Sequence, residues 1–284
     1  MKRTLPLSDL TENEANIRQL LLDTSDHTDT PQDASKPILR FAGGWVRDKL
    51  LGSASDDIDV AIDTMTGYGF GLAMKDFISH SKSMADYIPL ENGQDIMGNL
   101  ALIAANPDKS KHLETATVRV FGLDVDLVNL RKETYAANSR TPQMEFGTAE
   151  EDALRRDSTV NALFYNIHTS EVEDFTGRGL LDLERKIIKT PLPALQTFRD
   201  DPLRVLRHIR FASRLGFRIH SEDEQAISDP SIQDEFKLRV TREIKASEIG
   251  KKVKGQPGRQ ETELKISRER VGIEVDKMLK GTSN

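Results

Sequence analysis

Residues 43–63 read GGWVRDKLLGSASDDIDVAID. Ile58, Val60 and Ile62 alternate with Asp57, Asp59, Ala61 and Asp63. On a strand, successive side chains point to opposite faces. Asp57 and Asp59 therefore share one face while the apolar residues turn into a core. Two carboxylates this close repel each other. A divalent cation relieves that repulsion, and hard oxygen ligands favour Mg²⁺. Upstream, Gly43 and Gly44 fall between a strand and a helix, where backbone N–H groups can approach an anion. Arg47, one turn into that helix, adds a charged fork for phosphate.

Three further groups extend this chemistry. Residues 123–131, LDVDLVNLR, place Asp124 and Asp126 on one strand face. A third carboxylate beside Asp57 and Asp59 would complete a two-metal site. Asp126 is the first choice and Asp124 the second. Residues 152–162 read DALRRDSTVNA. Asp157 and Asn161 are four apart and share a helix face, and the adjacent Arg155 and Arg156 suit phosphate or ribose contacts. Residues 199–217 read RDDPLRVLRHIRFASRLGF. Asp200 or Asp201 caps a helix with Pro202 at its first turn. Arg204, Arg207 and Arg210 follow within about a 120° sector, with Val205, Ile209 and Ala212 facing away. Arginine forks and one carboxylate offer donors and acceptors for a base edge and a triphosphate. His208 and His220 lack partner spacing and read as structural or solvated. Phe41 and Trp45 read as core.

The elements that must carry these residues follow from periodicity and punctuation. Helices are expected at 8–23 (capped by Ser8 or Thr11), 46–51, 69–80 and 149–163. Another covers GRGLLDLERKII, and the rest are expected at 193–216, 221–229 and 267–279. Strands are expected at 37–42, 57–63, 84–90, 99–104, 117–121, 123–130 and 163–168. Residues 24–37 read as a polar linker, 131–148 as an irregular connection and TSEVED as a turn. Residues 236–265 are charge-dense and poor in core residues. The pattern is an α+β head followed by a helical region.

Composition bounds the classes. The chain has 284 residues, 37 % of them hydrophobic and 30 % charged, with a net charge of −6 and no cysteine. Disulfides and zinc–thiolate sites are excluded. No apolar run reaches the roughly 18–20 residues of a membrane helix. The start resembles neither a secretory signal nor a transit peptide, so an intracellular protein without membrane attachment is expected. Bulk negative charge argues against nucleic acid, but local arginine clusters decide that question.

The motifs GGWVRD…DDIDVAI, LDVDLVNLR, EEDALRRDSTVNALFYNI and FRDDPLRVLRHIRFASRLGF resemble the class II tRNA nucleotidyltransferases, the CCA-adding enzymes, and are most similar to fungal members. The resemblance runs from about residue 37 to 220 and resumes at ISRERVGIEVDKML. It implies a polymerase beta-like nucleotidyltransferase head with a mixed sheet and a short all-helical neck. The divisions would be 1–36 (N-terminal helix and linker), 37–190 (head) and 191–284 (neck). It implies that Asp57 and Asp59 hold catalytic metal and that Asp126 is the third carboxylate. Gly43, Gly44, Arg47 and Asp48 match a phosphate-side motif. Arg155, Arg156, Asp157 and Asn161 match a motif contacting the nucleotide sugar and phosphates. Asp201 and Arg204 match residues that pair with the incoming base, continued by Arg207 and Arg210. Glu269, Arg270 and Glu274 match an element supporting the nucleotide pocket. Residues 81–117 match a flexible loop region.

The activity so implied is template-independent addition of CMP and AMP from CTP and ATP to the tRNA 3′ acceptor end. The expected state is a monomer or weak dimer in cytoplasm, nucleus and/or mitochondrion. Two departures stand out. The chain stops after the ERVGIE segment, where relatives are implied to continue into body and tail domains, so an enzyme impaired by truncation is expected. Residues 233–265 look like an insertion. The alternatives are a poly(A)-adding relative and a catalytically weak nucleotide- or RNA-binding fragment.

Overall fold

The computed structural model describes residues 3–28, 36–55, 57–80, 96–103, 115–134, 143–234 and 268–280. The expected strand 84–90, the charge-dense stretch 236–265 and most of the 81–117 loop region lie outside these residues.

Strand β1 (Arg3–Thr4) precedes helix α1 (Glu12–His27). Thr11 caps α1, and the side chain of Glu14 returns to the Thr11 amide in a reciprocal capping box. The helix runs through the first residues of the expected linker, because Thr24 and Ser25 are buried. Strand β2 (Leu39–Ala42) leads through Gly43 into α2 (Gly44–Leu50), and β3 (Asp57–Ile62) and α3 (Gly67–His80) follow. Strands β4 (Ala101–Ile103), β5 (Thr115–Val120) and β6 (Leu123–Asn129) complete the far side. Residues 131–146 are not irregular throughout: β7 (Arg131–Thr134) and β8 (Gln143–Phe146) pair as an antiparallel ribbon.

The expected helix 149–163 is two pieces, α4 (Ala149–Leu154) and a 3₁₀ turn at Thr159–Asn161. Ser158 between them is extended, with φ −144° and ψ 151°. Strands β9 (Phe164–Asn166) and β10 (Glu171–Glu173) follow, so TSEVED supplies a strand where a turn was expected. Helix α5 (Gly179–Arg185) ends at Lys186 in the left-handed region, and β11 is Ile187–Ile188. The expected helix 193–216 breaks into α6 (Ala194–Asp200) and α7 (Leu203–Leu215). Pro202 cannot donate into a continuing helix, and Asp201 turns extended. Strand β12 (Arg218–Ile219), α8 (Ser221–Ser228) and α9 (Arg268–Lys280) close the described chain.

Among the described residues eight strands form one mixed sheet in the order β1-β10-β9-β2-β3-β6-β5-β4. Every pair is antiparallel except β3–β6. A parallel pair needs a crossover, and α3 lies within it. The two faces of this sheet differ in residue size. One is filled by large side chains, among them Phe41, Trp45, Ile58, Val60, Phe70, Val125, Leu127 and Tyr165, joined by Ile17, Leu20 and Leu21 of α1. The opposite face carries Ala42, Ala61, Ala149, Ala153, Ala162, Leu130 and Phe164. Small residues let α4 sit close to the sheet there. Asp59 belongs to this second face, because it pairs with Ala42 on β2 and lies two residues from Ala61 along β3. A separate cluster of Ala194, Phe198, Ala226 and Ile232 holds α6 to α8.

Candidate active site

The parallel register of β3 and β6 assembles the acids. Asp57 pairs with Asp124 and Asp59 with Asp126. All four lie on one sheet face, while Ile58, Val125 and Leu127 are buried on the other. Asp126 accepts a hydrogen bond from Thr117 Oγ1 at 2.6 Å. Asp124 is more exposed and stands 4.0 Å from Arg119. Among the described residues Asp57, Asp59 and Asp126 make no ion pair. Burial pushes the Asp59 carboxyl above the usual carboxylate range; Arg156 opposes that shift, and Asp126 and Asp57 add to it. Paired register, all-oxygen donors and mutual repulsion fit a hard divalent cation. Among the described residues no three acidic or imidazole side chains already close into a cation cage, so the fit is one of donor chemistry.

Gly43 closes the site above Asp59. Its φ of 68° with ψ −125° is open to glycine and costly for any other residue. Its N–H donates to the Leu163 carbonyl at 3.0 Å. Of the expected glycine amides, that one is engaged within the fold. A Cβ on Gly43 would stand 2.8 Å from Arg156 Nη1 and 3.7 Å from Asp59 Oδ2.

Beside the acid face runs a chain of arginines paired with acceptors. Arg47 donates from Nε (2.7 Å) and Nη2 (2.8 Å) to the two oxygens of Asp48, and from Nη1 to Asn161 Oδ1 at 2.5 Å. Asn161 Nδ2 donates to Asp157 Oδ1 at 3.2 Å. The Asp157–Asn161 pairing expected from one helix face therefore survives the break in that helix. Arg207 Nε donates to Asp157 Oδ2 at 2.5 Å and its Nη1 lies 3.6 Å from Glu274. Glu274 in turn takes Arg210 Nε at 2.6 Å, with both side chains only 6 % exposed. Burial acts to raise the Asp157 carboxyl, but Arg207, His208 and Asn161 outweigh it and hold the group well below the usual range. The network spans α2, the 3₁₀ turn, α7 and α9, and so ties the helices after residue 200 to those before it.

Asp201 accepts from the Leu203 amide at 3.1 Å and faces Arg270 Nη2 at 3.6 Å. The half-buried Arg204 lies one turn on, and its carbonyl is 3.0 Å from His208 Nδ1. His208 is fully buried against Asp223 at 3.3 Å, which matches its reading as structural. The side chain of Glu269 lies outside the described residues.

Two participants carry no signal that motif spacing was used to find. Phe211 is the hub of the arginines: the guanidinium carbons of Arg47, Arg207 and Arg210 lie 5.5, 5.4 and 4.1 Å from its ring centre. Asp152 is the other. It is 1 % exposed and accepts from both Arg155 and Arg156. Its spacing, three and four residues before that pair, is the helical ion-pair signature and was available in the sequence.

This assembly has counterparts. Residues 39–189 match the poly(A) polymerase head domain. The chain belongs to that family. A nucleotidyltransferase of Purpureocillium lilacinum (lcsQ) is 53 % identical over 275 residues, covering 96 % of this chain and 41 % of that protein. The mitochondrial CCA tRNA nucleotidyltransferase of Saccharomyces cerevisiae is 47 % identical over 278 residues, covering 97 % of this chain and 45 % of that protein. The chain thus spans less than half the length of these two curated relatives. A solved structure of the Thermotoga maritima CCA-adding enzyme complexed with tRNA superposes with a TM-score of 0.62 at 22 % identity, covering all of this chain and 52 % of that one. That likeness supports the α+β fold. No helix among the described residues is long and apolar enough to cross a membrane.

Proposed function

We propose that this chain is the head and neck of a template-independent tRNA nucleotidyltransferase that adds CMP and AMP from CTP and ATP to a tRNA 3′ end. The observation that carries the reading is the β3–β6 register. It brings Asp57, Asp59 and Asp126 to one sheet face within a head domain of the poly(A) polymerase family. The names of the fungal relatives support tRNA as acceptor and CCA as product. The divisions at 36/37 and 190/191 belong to the same proposal, as does service in a cell compartment that includes the mitochondrion.

Asp57 and Asp59, with Asp126, would hold Mg²⁺. Bound there, it supplies positive charge that lowers the barrier to deprotonating the RNA 3′-OH and to separating pyrophosphate. The protein's own work is positioning and selection. The 3′-OH attacks the α-phosphorus in line, and the α–β phosphoanhydride bond breaks to release pyrophosphate. Gly43 gives the triphosphate room beside Asp59. Asp201 and Arg204 offer an acceptor and donors to a base edge at the start of α7. A base that leaves those groups unpaired costs about 1–3 kcal/mol for each. Arg207 and Arg210, tied to Asp157 and Glu274, keep α7 in register with the acid face.

The deciding experiment supplies a tRNA lacking its 3′ CCA with single nucleotides and Mg²⁺. CMP incorporation followed by AMP supports the reading. Repeated AMP alone points to poly(A) addition. Nucleotide binding without incorporation, equal in wild type and Asp57→Ala, points to a non-catalytic fragment.

A further inference from the structure

Asp152 lies within the DALRRDSTVNA motif but has no role in the contacts expected of it, yet donors converge on both of its oxygens. Its Oδ1 accepts from Arg155 Nε at 2.9 Å, from Arg155 Nη2 and from the Arg131 amide at 3.1 Å. Its Oδ2 accepts from Arg156 Nε and Nη2, both at 2.9 Å. Fixed from both sides, the carboxylate has no room to turn. Arg156 is held on its remaining sides by the Asn161 carbonyl at 3.1 Å and by the Phe164 ring, 5.0 Å from the guanidinium carbon.

The position of Arg156 makes this consequential. Its Nη1 and Asp59 Oδ2 both come within 4 Å of the same point above Gly43. A partly buried cation and a partly buried carboxylate so near each other attract. Nevertheless, among the described residues no ion pair joins Arg156 to Asp59, because the guanidinium is turned onto Asp152.

We propose that Asp152 is a positioning residue that withholds Arg156 from Asp59, leaving the Asp59 carboxylate open to a divalent cation. The proposal rests on the acid face being the metal site. Without Asp152, the carboxylates still acting on Arg156 are those of Asp59 and Asp157, and Asp157 is already taken by Arg207 and Asn161, which leaves Asp59. The guanidinium then competes with the metal for it.

The test is Mn²⁺ binding to the full chain, followed by electron paramagnetic resonance of the free ion, with neither RNA nor nucleotide present. Asp152→Asn keeps the shape of the side chain and removes its charge. It is expected to weaken Mn²⁺ binding at least fivefold. Arg156→Gln is expected to bind at least as tightly as wild type, and the double variant to return to within twofold of wild type. A general loss of packing would lower all three together. Wild-type affinity in Asp152→Asn, or a double variant as weak as Asp152→Asn, overturns the proposal. Where Asp152→Asn does not fold, the double variant carries the test, since it removes the Arg156 guanidinium together with the charge that holds it. Its Mn²⁺ affinity must then match that of Arg156→Gln, and Arg156→Gln must not be weaker than wild type; either failure overturns the proposal. Failure of the functional reading is seen separately, as a wild-type chain that transfers no CMP.

Discussion

The acid face of β3 and β6 and the arginine network of α2, α7 and α9 lie side by side and are built on opposite electrostatic terms. On the acid face like charges are gathered, Asp57, Asp59 and Asp126 make no ion pair among the described residues, and burial raises Asp59. In the network each of Arg47, Arg207 and Arg210 has a carboxylate, and Asp157 is held low. On the proposed function, the first region is completed by a cation from outside. The second is complete already. On that reading, stability is concentrated in the network and chemistry on the acid face, where a ligand would offset the repulsion.

If this division holds, substitutions on the two faces separate activity from stability. Asp59→Asn comes first: it should lower CMP transfer by roughly 10²–10³-fold, as loss of a central electrostatic group does, while leaving the melting temperature unchanged or raised. Glu274→Gln should do the reverse. It leaves buried Arg210 without its carboxylate, which costs about 3 kcal/mol and is read from urea denaturation. Gly43→Ala lies between, at about 1–3 kcal/mol for a non-glycine residue held at this φ and ψ, with transfer reduced because the new Cβ meets Arg156 above Asp59.

The pH dependence sharpens the contrast. Asp152 and Asp157 are both lowered by their arginines. Their unfolded forms bind protons more readily, so stability rises with pH through that range. Their contribution is fully present above the ordinary aspartate value of about 4 and is lost as pH falls toward their folded values. Asp59 has the opposite sign: its raised carboxyl favours folding when protonated. Thermal melts below pH 5 should show Asp157→Asn with a flatter acid limb than wild type. Smallest of all is Lys280→Ala, which removes an exposed pair with Asp276 on α9. Its expected cost is at most about 0.5 kcal/mol, and it serves as the surface control.

The acids were legible in the sequence because alternation over Ile58, Val60 and Ile62 fixes which face Asp57 and Asp59 occupy, whatever lies around them. The neighbour that β3 would choose was not, since pairing is a tertiary outcome. Short strands such as β1 and β10 are two and three residues long, too few for periodicity to register. The break between α4 and the 3₁₀ turn escaped because RRDSTVNAL keeps helical spacing of its apolar residues, while extended Ser158 interrupts the backbone. The capping box of Thr11 and Glu14 predicts a helix start. It gives no hint that Glu14 is buried and also binds Trp45 Nε1 at 2.9 Å and Lys49 at 2.6 Å, which fastens α1 to the helix after Gly43. Arginines spaced for a ligand face were legible as a stripe, but their internal carboxylates come from segments up to 64 residues away.

The register of β3 and β6 is the central claim, and one measurement addresses it most directly. CMP transfer to a tRNA lacking its CCA end is compared in wild type, Asp59→Asn, Asp126→Asn and Asp124→Asn, each checked for native fold by circular dichroism. The account predicts that Asp59→Asn and Asp126→Asn each lower transfer by roughly 10²-fold or more, while Asp124→Asn, exposed beside Arg119, stays within about threefold of wild type, an effect of the size expected for a surface position. Transfer that survives Asp59→Asn, or that is lost in Asp124→Asn and kept in Asp126→Asn, would contradict it.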